Sequence, residues 1–244
     1  MERLADQIPP KTDKRKVRHD KKRQKLLDEA MAIVTHDGIE ALTIARLAQR
    51  IRGSVGALYR YFESKEELVF GLQEMAIVTF RQFLESRASE AALAAQAPAT
   101  APEGVLALAR FMTVVTAYVD HADHSPETHR LVDHFLSTPE ALLSDDDARV
   151  ITERVVRPIL ELVGGFLARA AATGALAPGN PEQRTHLAWA FMHGLDHFRK
   201  RDRINGTHLQ VKVLLPLAVR TLLSGWGAKD AELTAAAAIA YTSE

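Results

Sequence analysis

Apolar residues recur along most of the chain with the spacing of an amphipathic helix, and the period-two alternation of strands is scarce. The first such segment carries Leu26, Leu27, Ala30, Ile33 and Val34. Later segments predict helices near residues 103–121, 126–137, 145–173, 181–201 and 208–224. Pro158 should kink the third of these, and Asn180 followed by Pro181 is a strong start signal for the fourth. The pattern predicts an all-α protein.

The segment from Leu42 to Leu68 predicts short helices separated by a tight turn, with the size and punctuation of a helix-turn-helix. Thr43 can cap the first helix, and Ser54 can cap a second helix that runs to Tyr61. Small residues at the start of the second helix allow its backbone to approach base edges in a major groove. The positions of this helix that can face outward are Val55, Gly56, Tyr59 and Arg60. The segment predicts sequence-specific binding to double-stranded DNA.

These residues carry a resemblance to the tetracycline-repressor (TetR) family of one-component transcriptional regulators. The family motif is similar to Thr-x-x-x-(Ile/Leu)-Ala, a turn, then Leu-Tyr-x-Tyr-Phe-x-x-Lys-x-x-Leu. The matching residues are Thr43, Leu47, Ala48, Leu58, Tyr59, Tyr61, Phe62, Lys65 and Leu68. The resemblance implies an N-terminal three-helix DNA-binding domain, followed by a larger helical domain for ligand binding and dimerisation.

The resemblance also implies which side chains meet DNA. Tyr59, Tyr61 and Lys65 are expected to hold phosphates, although Tyr61 could instead be a core aromatic. Ser64 can cap the next helix, which puts Lys65 in a first turn where the helix dipole disfavours a cation. A phosphate partner explains that lysine better than helix stability does. The other residues expected near DNA are Thr43, Ala45, Ser54, Val55, Gly56, Ala57 and Arg60.

One position departs from the family pattern. Family members usually place glycine where Arg52 stands and an apolar residue where Gly53 stands. An arginine forced toward positive φ would be strained. We therefore expect an altered geometry in the turn between the two helices.

Charge is unevenly distributed, although the formal net charge is zero. Residues 1–62 hold 14 Lys and Arg against 8 Asp and Glu, and the remainder holds 17 against 23. This asymmetry is typical of a protein with one DNA-binding end. Residues 1–19 are predicted to form a disordered basic arm that adds salt-dependent affinity, or else a solvated tail of no consequence. The absence of cysteine excludes disulfides, thiolate catalysis and cysteine-ligated zinc.

Beyond the arm we expect a DNA-binding domain at residues 20–66, a helical body at 67–227 and an Ala-rich tail or short helix at 228–244. A long helix from Ser64 should connect the DNA-binding domain to the body. The last two major helices have broad apolar faces that a symmetric copy could cover, and the resemblance implies a four-helix homodimer interface there. An intramolecular core is the alternative. The predicted interface residues are Phe191, Gly194, Leu195, Phe198, Leu214, Ala218 and Leu222.

A small-molecule pocket should lie among the central helices of the body. Large apolar side chains with a few polar tips are what such a cavity uses, and they are also what any helical core uses. The candidates are Phe111, Val115, Tyr118, Phe135, Leu160, Val163, Trp189, Met192 and His193.

Histidines invite a second interpretation, because His193 and His197 lie four residues apart on a predicted helix and such a pair can bind a metal. No HExxH motif is present, and a third ligand such as Glu127 or Asp133 would have to come from an uncertain loop. No Gly-x-Ser-x-Gly turn and no Gly-rich phosphate loop occurs either. We expect no metal, no cofactor, no catalytic residue and no enzymatic activity.

The sequence therefore predicts a homodimeric transcriptional repressor that a small-molecule ligand releases from a palindromic DNA operator. The longest apolar tract, Ala235 to Tyr241, is too short to span a bilayer, so we expect a soluble, cytoplasmic protein. Two alternatives remain: an all-α metal-dependent enzyme with a fortuitous motif, and an architectural DNA-binding protein without an inducer.

Overall fold

The structure, a computed structural model, describes residues 14–89, 97–137, 146, 149–150 and 152–241, with the side chains of 134–137 left out. Within these residues it is helical and contains no strand. The chain divides into two compact units, one ending at Gln73 and the other beginning at Glu74. We call the first unit the head and the second the body.

The head is a helix-turn-helix braced by longer helices. Helix α1 spans Lys14–Asp37, and a 3-10 turn covers Ile39–Ala41. Helices α2 (Ile44–Arg50) and α3 (Val55–Leu58) follow, and α4 runs over Lys65–Arg87. The side chains that fill the core of the head are Leu26, Leu27, Ala30, Ile33, Leu42, Leu47, Leu58, Phe62, Leu68 and Leu72.

The start of α1 corrects the prediction of a disordered arm over residues 1–19. Helix α1 already begins at Lys14, so residues 14–19 are helical, while residues 1–13 lie outside the described part of the chain. Lysine and arginine are good helix formers, so a basic run need not be disordered. The His19 ring also stacks on Tyr61, with ring centroids 4.8 Å apart, which holds this turn of α1 against the head.

Helix α4 belongs to both units, and the head extends seven residues beyond the predicted boundary at 66. The reason is close packing of α4 on α1: a Cβ at Gly71 would lie only 2.9 Å from Cδ2 of Leu27. Leu68 and Leu72 are fully buried beside that contact. The long connecting helix that the sequence predicts is therefore present, and its first turns are part of the core of the head.

The body consists of helices α5 (Glu103–His124), α6 (Pro126–Ser137), α7 (Arg157–Ala172), α8 (Pro181–His197), α9 (Val211–Gly225) and α10 (Asp230–Ala240), with the second half of α4. Short 3-10 turns at Phe198–Arg201 and Thr207–Leu209 join α8 to α9. Helix α5 is the central element and packs against α7 and α10.

Helix α10 confirms the short-helix alternative for residues 228–244 and shows that this helix is part of the body. Its Leu233, Ala236 and Ile239 are buried, and the helix packs on α5. An Ala-rich helix can approach a neighbour closely, so composition alone hid a packed element of the body. Residues 242–244 lie outside the described residues.

Pro158 interrupts the helix predicted over 145–173. A π-helical turn, Thr152–Val156, comes directly before α7, and Pro158 stands in the first turn of α7. Proline has no N–H and its ring clashes with the carbonyl four residues earlier, so a wider turn accommodates it. Most of the predicted segment before Thr152 lies outside the described residues.

By length and composition alone, α5 is the one helix among the described residues that could cross a membrane. Two-thirds of its most apolar window, 67%, is buried within the protein. Burial of this kind is typical of the core helix of a folded domain.

Candidate functional site

Two side-chain caps set the helix-turn-helix. The hydroxyl of Thr43 accepts a hydrogen bond from the backbone N–H of Arg46 at 3.0 Å, which starts α2. The hydroxyl of Ser54 accepts from the N–H of Ala57 at 3.2 Å, which starts α3. Each cap satisfies a backbone donor that the first helical turn leaves without an intrahelical partner. Both caps confirm the sequence prediction.

The turn between α2 and α3 has the hydrogen bonds of a Schellman motif. The N–H of Gly53 donates to the carbonyl of Ala48 at 2.9 Å, and the N–H of Arg52 donates to the carbonyl of Gln49 at 3.1 Å. Arg52 occupies the left-handed position of that motif with φ 52°, where glycine is usual. The expectation of an altered turn geometry is therefore wrong, because the standard turn is kept. The prediction of a strained arginine holds: Arg52 is the one non-glycine residue with positive φ in the described part of the chain.

Helix α3 turns a polar and small-residue face to solvent. Leu58 and Phe62 are buried, whereas Tyr59 is 51% exposed and Val55 is 40% exposed. None of the ten residues predicted to meet DNA is buried. The exposed ones are Thr43, Ala45, Ser54, Val55, Gly56, Tyr59, Arg60 and Lys65, and the partly buried ones are Ala57 and Tyr61. The head therefore offers these side chains to a partner, which is what a DNA-reading helix needs.

The start of α1 supports the far end of this surface, a contact that sequence reasoning missed. The His19 ring stacks on Tyr61, and its Nε2 lies 3.4 Å from the carbonyl of Arg60. Nearby, the guanidinium of Arg23 lies 5.0 Å from the ring centre of Phe62. These contacts hold Tyr61 half-buried with its position fixed. They join residues about forty positions apart, so no local sequence signal could have indicated them.

The start of α4 places Lys65 next to this surface. The hydroxyl of Ser64 accepts from the N–H of Glu67 at 3.1 Å, as predicted. The carboxylate of Glu67 reaches the N–H of Glu63 at 2.6 Å, one residue earlier than the standard capping box requires. Lys65 itself is exposed in the first helical turn, where the helix dipole disfavours a positive charge.

The body contains an apolar cavity of about 50 Å³. Tyr118, Leu160, Val163, Trp189 and Met192 were predicted for a pocket and line this cavity. Eight further residues complete the lining: Ile77, Phe80, Leu84, Val114, Val132, Val156, Ile159 and Thr185. Few of the lining side chains carry polar groups. The hydroxyl of Thr185 already donates a hydrogen bond to the carbonyl of Pro181 at 2.8 Å.

Three other predicted pocket residues do not line the cavity. Phe111 packs edge-on against Trp226 with ring centroids 6.4 Å apart, two helical turns or about 10 Å along α5 from Tyr118. Val115 is buried in the core, while its neighbour Val114, about 100° around the helix, faces the cavity. His193 lies beside the cavity and contacts the Tyr118 hydroxyl. The side chain of Phe135 lies outside the described residues.

A buried polar network adjoins the cavity. The ring of His129 bonds to the carboxylate of Asp196 at 2.8 Å, and both side chains are only 9% exposed. Burial alone would raise the pKa of Asp196, but hydrogen bonds from His129 and Arg199 hold it below its ordinary value. His121, 3.4 Å from His129, packs against Phe80. Burial and the neighbouring histidines lower the pKa of His121 to about 4, so this ring is neutral at physiological pH.

The Tyr118 hydroxyl joins the cavity to a second polar group. It lies 3.2 Å from Nδ1 of His193. Burial and the nearby carboxylate of Asp196 raise the pKa of Tyr118 well above its ordinary value, so the hydroxyl keeps its proton. His193 lies beside His197 and Asp133 on the outer side of this contact. Asp133, the third residue of this group, comes from helix α6, which the spacing of apolar residues predicted near 126–137.

Helices α8 and α9 expose a row of large apolar side chains, which we call the apolar stripe. Its members are Leu187, Phe191, Phe198, Val213 and Leu217, and exposure reaches 62% at Leu217. Of the residues predicted for a dimer interface, Phe191, Gly194 and Phe198 are exposed, and Leu195, Leu214, Ala218 and Leu222 are half-buried beside the stripe. Val213 and Leu217 were missed, because α9 is apolar on more than one face and pattern alone does not fix its rotation.

Comparison with known proteins agrees with the geometry of the head. Residues 26–72 match the family of bacterial regulatory proteins of the tetR type. Among curated proteins, none is similar enough in sequence to match.

Solved structures extend the likeness to most of the chain. A TetR/AcrR-family transcriptional regulator from Thermobifida fusca superposes with a TM-score of 0.55 at 19% identity, covering 84% of this chain and 98% of that one. RolR in complex with resorcinol superposes with a TM-score of 0.60 at 14% identity, covering 91% of this chain and 95% of that one. AibR in complex with isovaleryl coenzyme A and operator DNA superposes with a TM-score of 0.57 at 15% identity, covering 82% of this chain and 97% of that one. At these identities the likeness establishes the fold.

The head carries the family's sequence motif on a capped and exposed helix-turn-helix, and the body has the helical architecture of the solved regulators. Over residues 26–72 the chain therefore matches the bacterial regulatory proteins of the tetR family, and over most of its length it shares the fold of solved TetR-family regulators.

Proposed function

We propose that the protein is a homodimeric repressor that leaves a palindromic operator when a small apolar molecule enters the cavity of the body. The observation that carries this proposal is the exposed face of α3, which is held in place by two caps and a buried Leu58–Phe62 anchor. A surface fixed in this way, with small residues first and Tyr59 and Arg60 after them, suits a major groove.

Roles on the DNA divide between phosphates and bases. Tyr59, Tyr61 and Lys65 are assigned to phosphates, since hydroxyl and ammonium donors at the rim of a reading helix suit the backbone of the duplex. Val55, Gly56 and Ala57 form the first turn of α3 and are assigned to the floor of the groove. Arg60 is long enough for either partner. Thr43, Ala45 and Ser54 lie at the helix starts, where backbone N–H groups favour phosphate oxygens.

The apolar stripe supports the homodimer. Monomeric proteins rarely leave several large apolar side chains exposed side by side on neighbouring helices. Two copies of α8 and α9 would cover Phe191, Phe198 and Leu217 in a four-helix arrangement. Dimerisation also serves the function, because two heads about 34 to 36 Å apart read two half-sites of a palindrome in successive major grooves.

The cavity supports a ligand-driven release. A volume of about 50 Å³ is far smaller than the roughly 300 Å³ or more of a typical ligand pocket, so an occupant must push the lining helices outward. Ile77, Phe80 and Leu84 in that lining belong to α4, the helix that begins in the head. A ligand that prefers the widened body would shift the population toward it and displace α4.

The lining also limits the ligand class. Apolar side chains dominate, and the Tyr118 hydroxyl is the polar tip directed at the polar network. We propose a small, mostly hydrocarbon or aromatic molecule with one hydrogen-bonding group. The solved relatives carry resorcinol in one complex and an acyl coenzyme A in another, so ligands of that range are a reasonable first panel. We further propose that the protein acts in the cytoplasm and is not an enzyme.

Selection of bound duplexes from a random pool, followed by a binding assay, tests this function. Enrichment of an inverted repeat bound by two chains is expected, with at least about 10³-fold preference over random duplex. Release of the selected duplex is then screened with small aromatic and acyl compounds. Equal affinity for selected and random duplexes would contradict the proposal and favour an architectural DNA-binding protein.

A further inference from the structure

Three metal-ligating side chains meet at the outer edge of the cavity. His193 and His197 stand one turn apart on α8, and Asp133 approaches from α6. Oδ1 of Asp133 lies 3.9 Å from Nδ1 of His193 and 3.6 Å from Nδ1 of His197. Within the described ranges no other group of three such residues has its ligand atoms this close together. We propose that Asp133, His193 and His197 form a binding site for a divalent transition-metal ion, with Zn²⁺ as the representative.

The distances suit an ion of this size. Zinc bonds to imidazole nitrogen and carboxylate oxygen are about 2.0 to 2.2 Å long, so tetrahedral ligand atoms lie about 3.3 to 3.5 Å apart. The potential ligand atoms here all lie within 4.8 Å of one another. Small side-chain rotations would close the difference, because the two histidines share one rigid helix and only Asp133 must be brought in from a second one.

Exposure and composition identify the kind of site. The three side chains are 23%, 40% and 28% exposed for His193, His197 and Asp133, so an ion can reach them and a fourth position stays open to water or another ligand. Two imidazoles with one carboxylate suit zinc, nickel, cobalt or ferrous iron. Magnesium and calcium prefer an all-oxygen set, and copper(I) prefers sulfur ligands.

Metal binding would reach the cavity through Tyr118. The atom of His193 that faces Asp133 is Nδ1, which is also the atom 3.2 Å from the Tyr118 hydroxyl. An ion bound at Nδ1 takes the lone pair that this hydroxyl would otherwise use. Tyr118 lines the cavity, so its hydroxyl becomes available to a molecule inside. The ion and the cavity are therefore linked through one hydrogen bond.

Zinc titration of the full-length protein without DNA tests the site, so the result does not depend on operator binding. Calorimetry with ZnCl₂ should give one ion per chain. Cobalt(II) should give the visible absorption of a low-coordinate site. The variants Asp133→Asn and His197→Ala should weaken zinc binding by at least about 100-fold, since loss of a direct ligand costs no less than loss of a supporting contact.

His186→Ala is the matched control, because it removes an exposed histidine of the same helix whose Nδ1 lies 2.9 Å from the carbonyl of Glu182. Its zinc affinity should equal that of the unmodified protein. Circular dichroism in the presence of a chelator verifies that all the variants are folded. No saturable binding by the unmodified protein, or equal binding by Asp133→Asn and His197→Ala, would overturn the site.

Tyr118→Phe tests the link to the cavity. Removing the hydroxyl that competes for Nδ1 of His193 should raise zinc affinity several-fold, up to about tenfold for one hydrogen bond. Unchanged or weaker binding in this variant would refute the link, whereas binding lost in Asp133→Asn would still support the site.

Discussion

Arg52 offers a direct test of the turn between the two helices of the head. Its φ of 52° and its position in the Schellman motif put a side chain where glycine is usual. A left-handed conformation costs a non-glycine residue about 1 to 2 kcal/mol. Glycine removes that cost but gains about 0.5 to 1 kcal/mol of entropy in the unfolded chain. Arg52→Gly should therefore stabilise the head by about 0.5 to 1 kcal/mol.

Two matched variants separate strain from charge. Arg52→Ala removes the guanidinium but keeps a Cβ at positive φ, so its stability should stay within about 0.5 kcal/mol of the unmodified protein. Arg52→Asn should fall between alanine and glycine, because asparagine tolerates the left-handed region. Denaturant-induced unfolding followed by circular dichroism, with amide hydrogen exchange in α2, reports the free energy of unfolding of the head.

Operator affinity gives the second readout for the same variants. Arg52 is exposed in the turn beside α3, so loss of its charge should reduce the salt dependence of binding equally in Arg52→Gly and Arg52→Ala. Arg52→Lys should retain it. Equal free energies of unfolding for Arg52→Gly and Arg52→Ala would refute backbone strain at Arg52. A salt dependence of binding that is unchanged in both variants would refute a contact between Arg52 and a phosphate.

Further predictions concern the phosphate contact, the interface and pH. Lys65→Ala should lower the slope of log affinity against log salt by about 0.9, as expected for one phosphate, whereas Lys200→Ala in the body should not; an unchanged slope for Lys65→Ala would reject its role. Leu217→Glu should give a monomer in analytical ultracentrifugation, while Val150→Glu, at an exposed apolar residue that is not a member of the apolar stripe, should leave a dimer; a dimeric Leu217→Glu protein would remove the stripe from the interface. The pKa of His121 is about 4 in the folded protein and 6.5 in the unfolded chain. Between these pH values the unfolded chain therefore binds more protons than the folded protein does. Stability should therefore fall as pH drops from about 6.5 to about 4, by an amount of order 2 kcal/mol after solvent screening, and His121→Phe should flatten that slope in thermal melts; equal slopes would contradict it.

Local chemistry made the starts of three helices predictable. Thr43, Ser54 and Asn180 each accept a hydrogen bond from the N–H three residues later, so a single short stretch contains both partners. The strain at Arg52 could also be predicted from the sequence, because one position of this turn requires a positive φ and an arginine occupies it. The fold class followed from the helical spacing of apolar residues for the same reason.

Contacts between distant segments could not be predicted. His19 and Tyr61, His129 and Asp196, and Asp133 and His197 are each more than forty positions apart, and nothing local specifies that they meet. The rotation of each body helix about its own axis could not be predicted either. Where a helix such as α5 is apolar on nearly every side, periodicity does not distinguish Val114, which faces the cavity, from Val115, which faces the core.

Helix α8 carries residues of three separate features of the body. Successive residues of a helix point about 100° apart, so Phe191, Met192 and His193 face three different directions from one rigid element. Phe191 lies in the apolar stripe, Met192 lines the cavity, and His193 belongs to the metal-ligating group. A ligand that pushes Met192 outward must move the other two side chains with it. Under the proposed function, widening of the cavity would therefore also shift the face on which a second copy would pack.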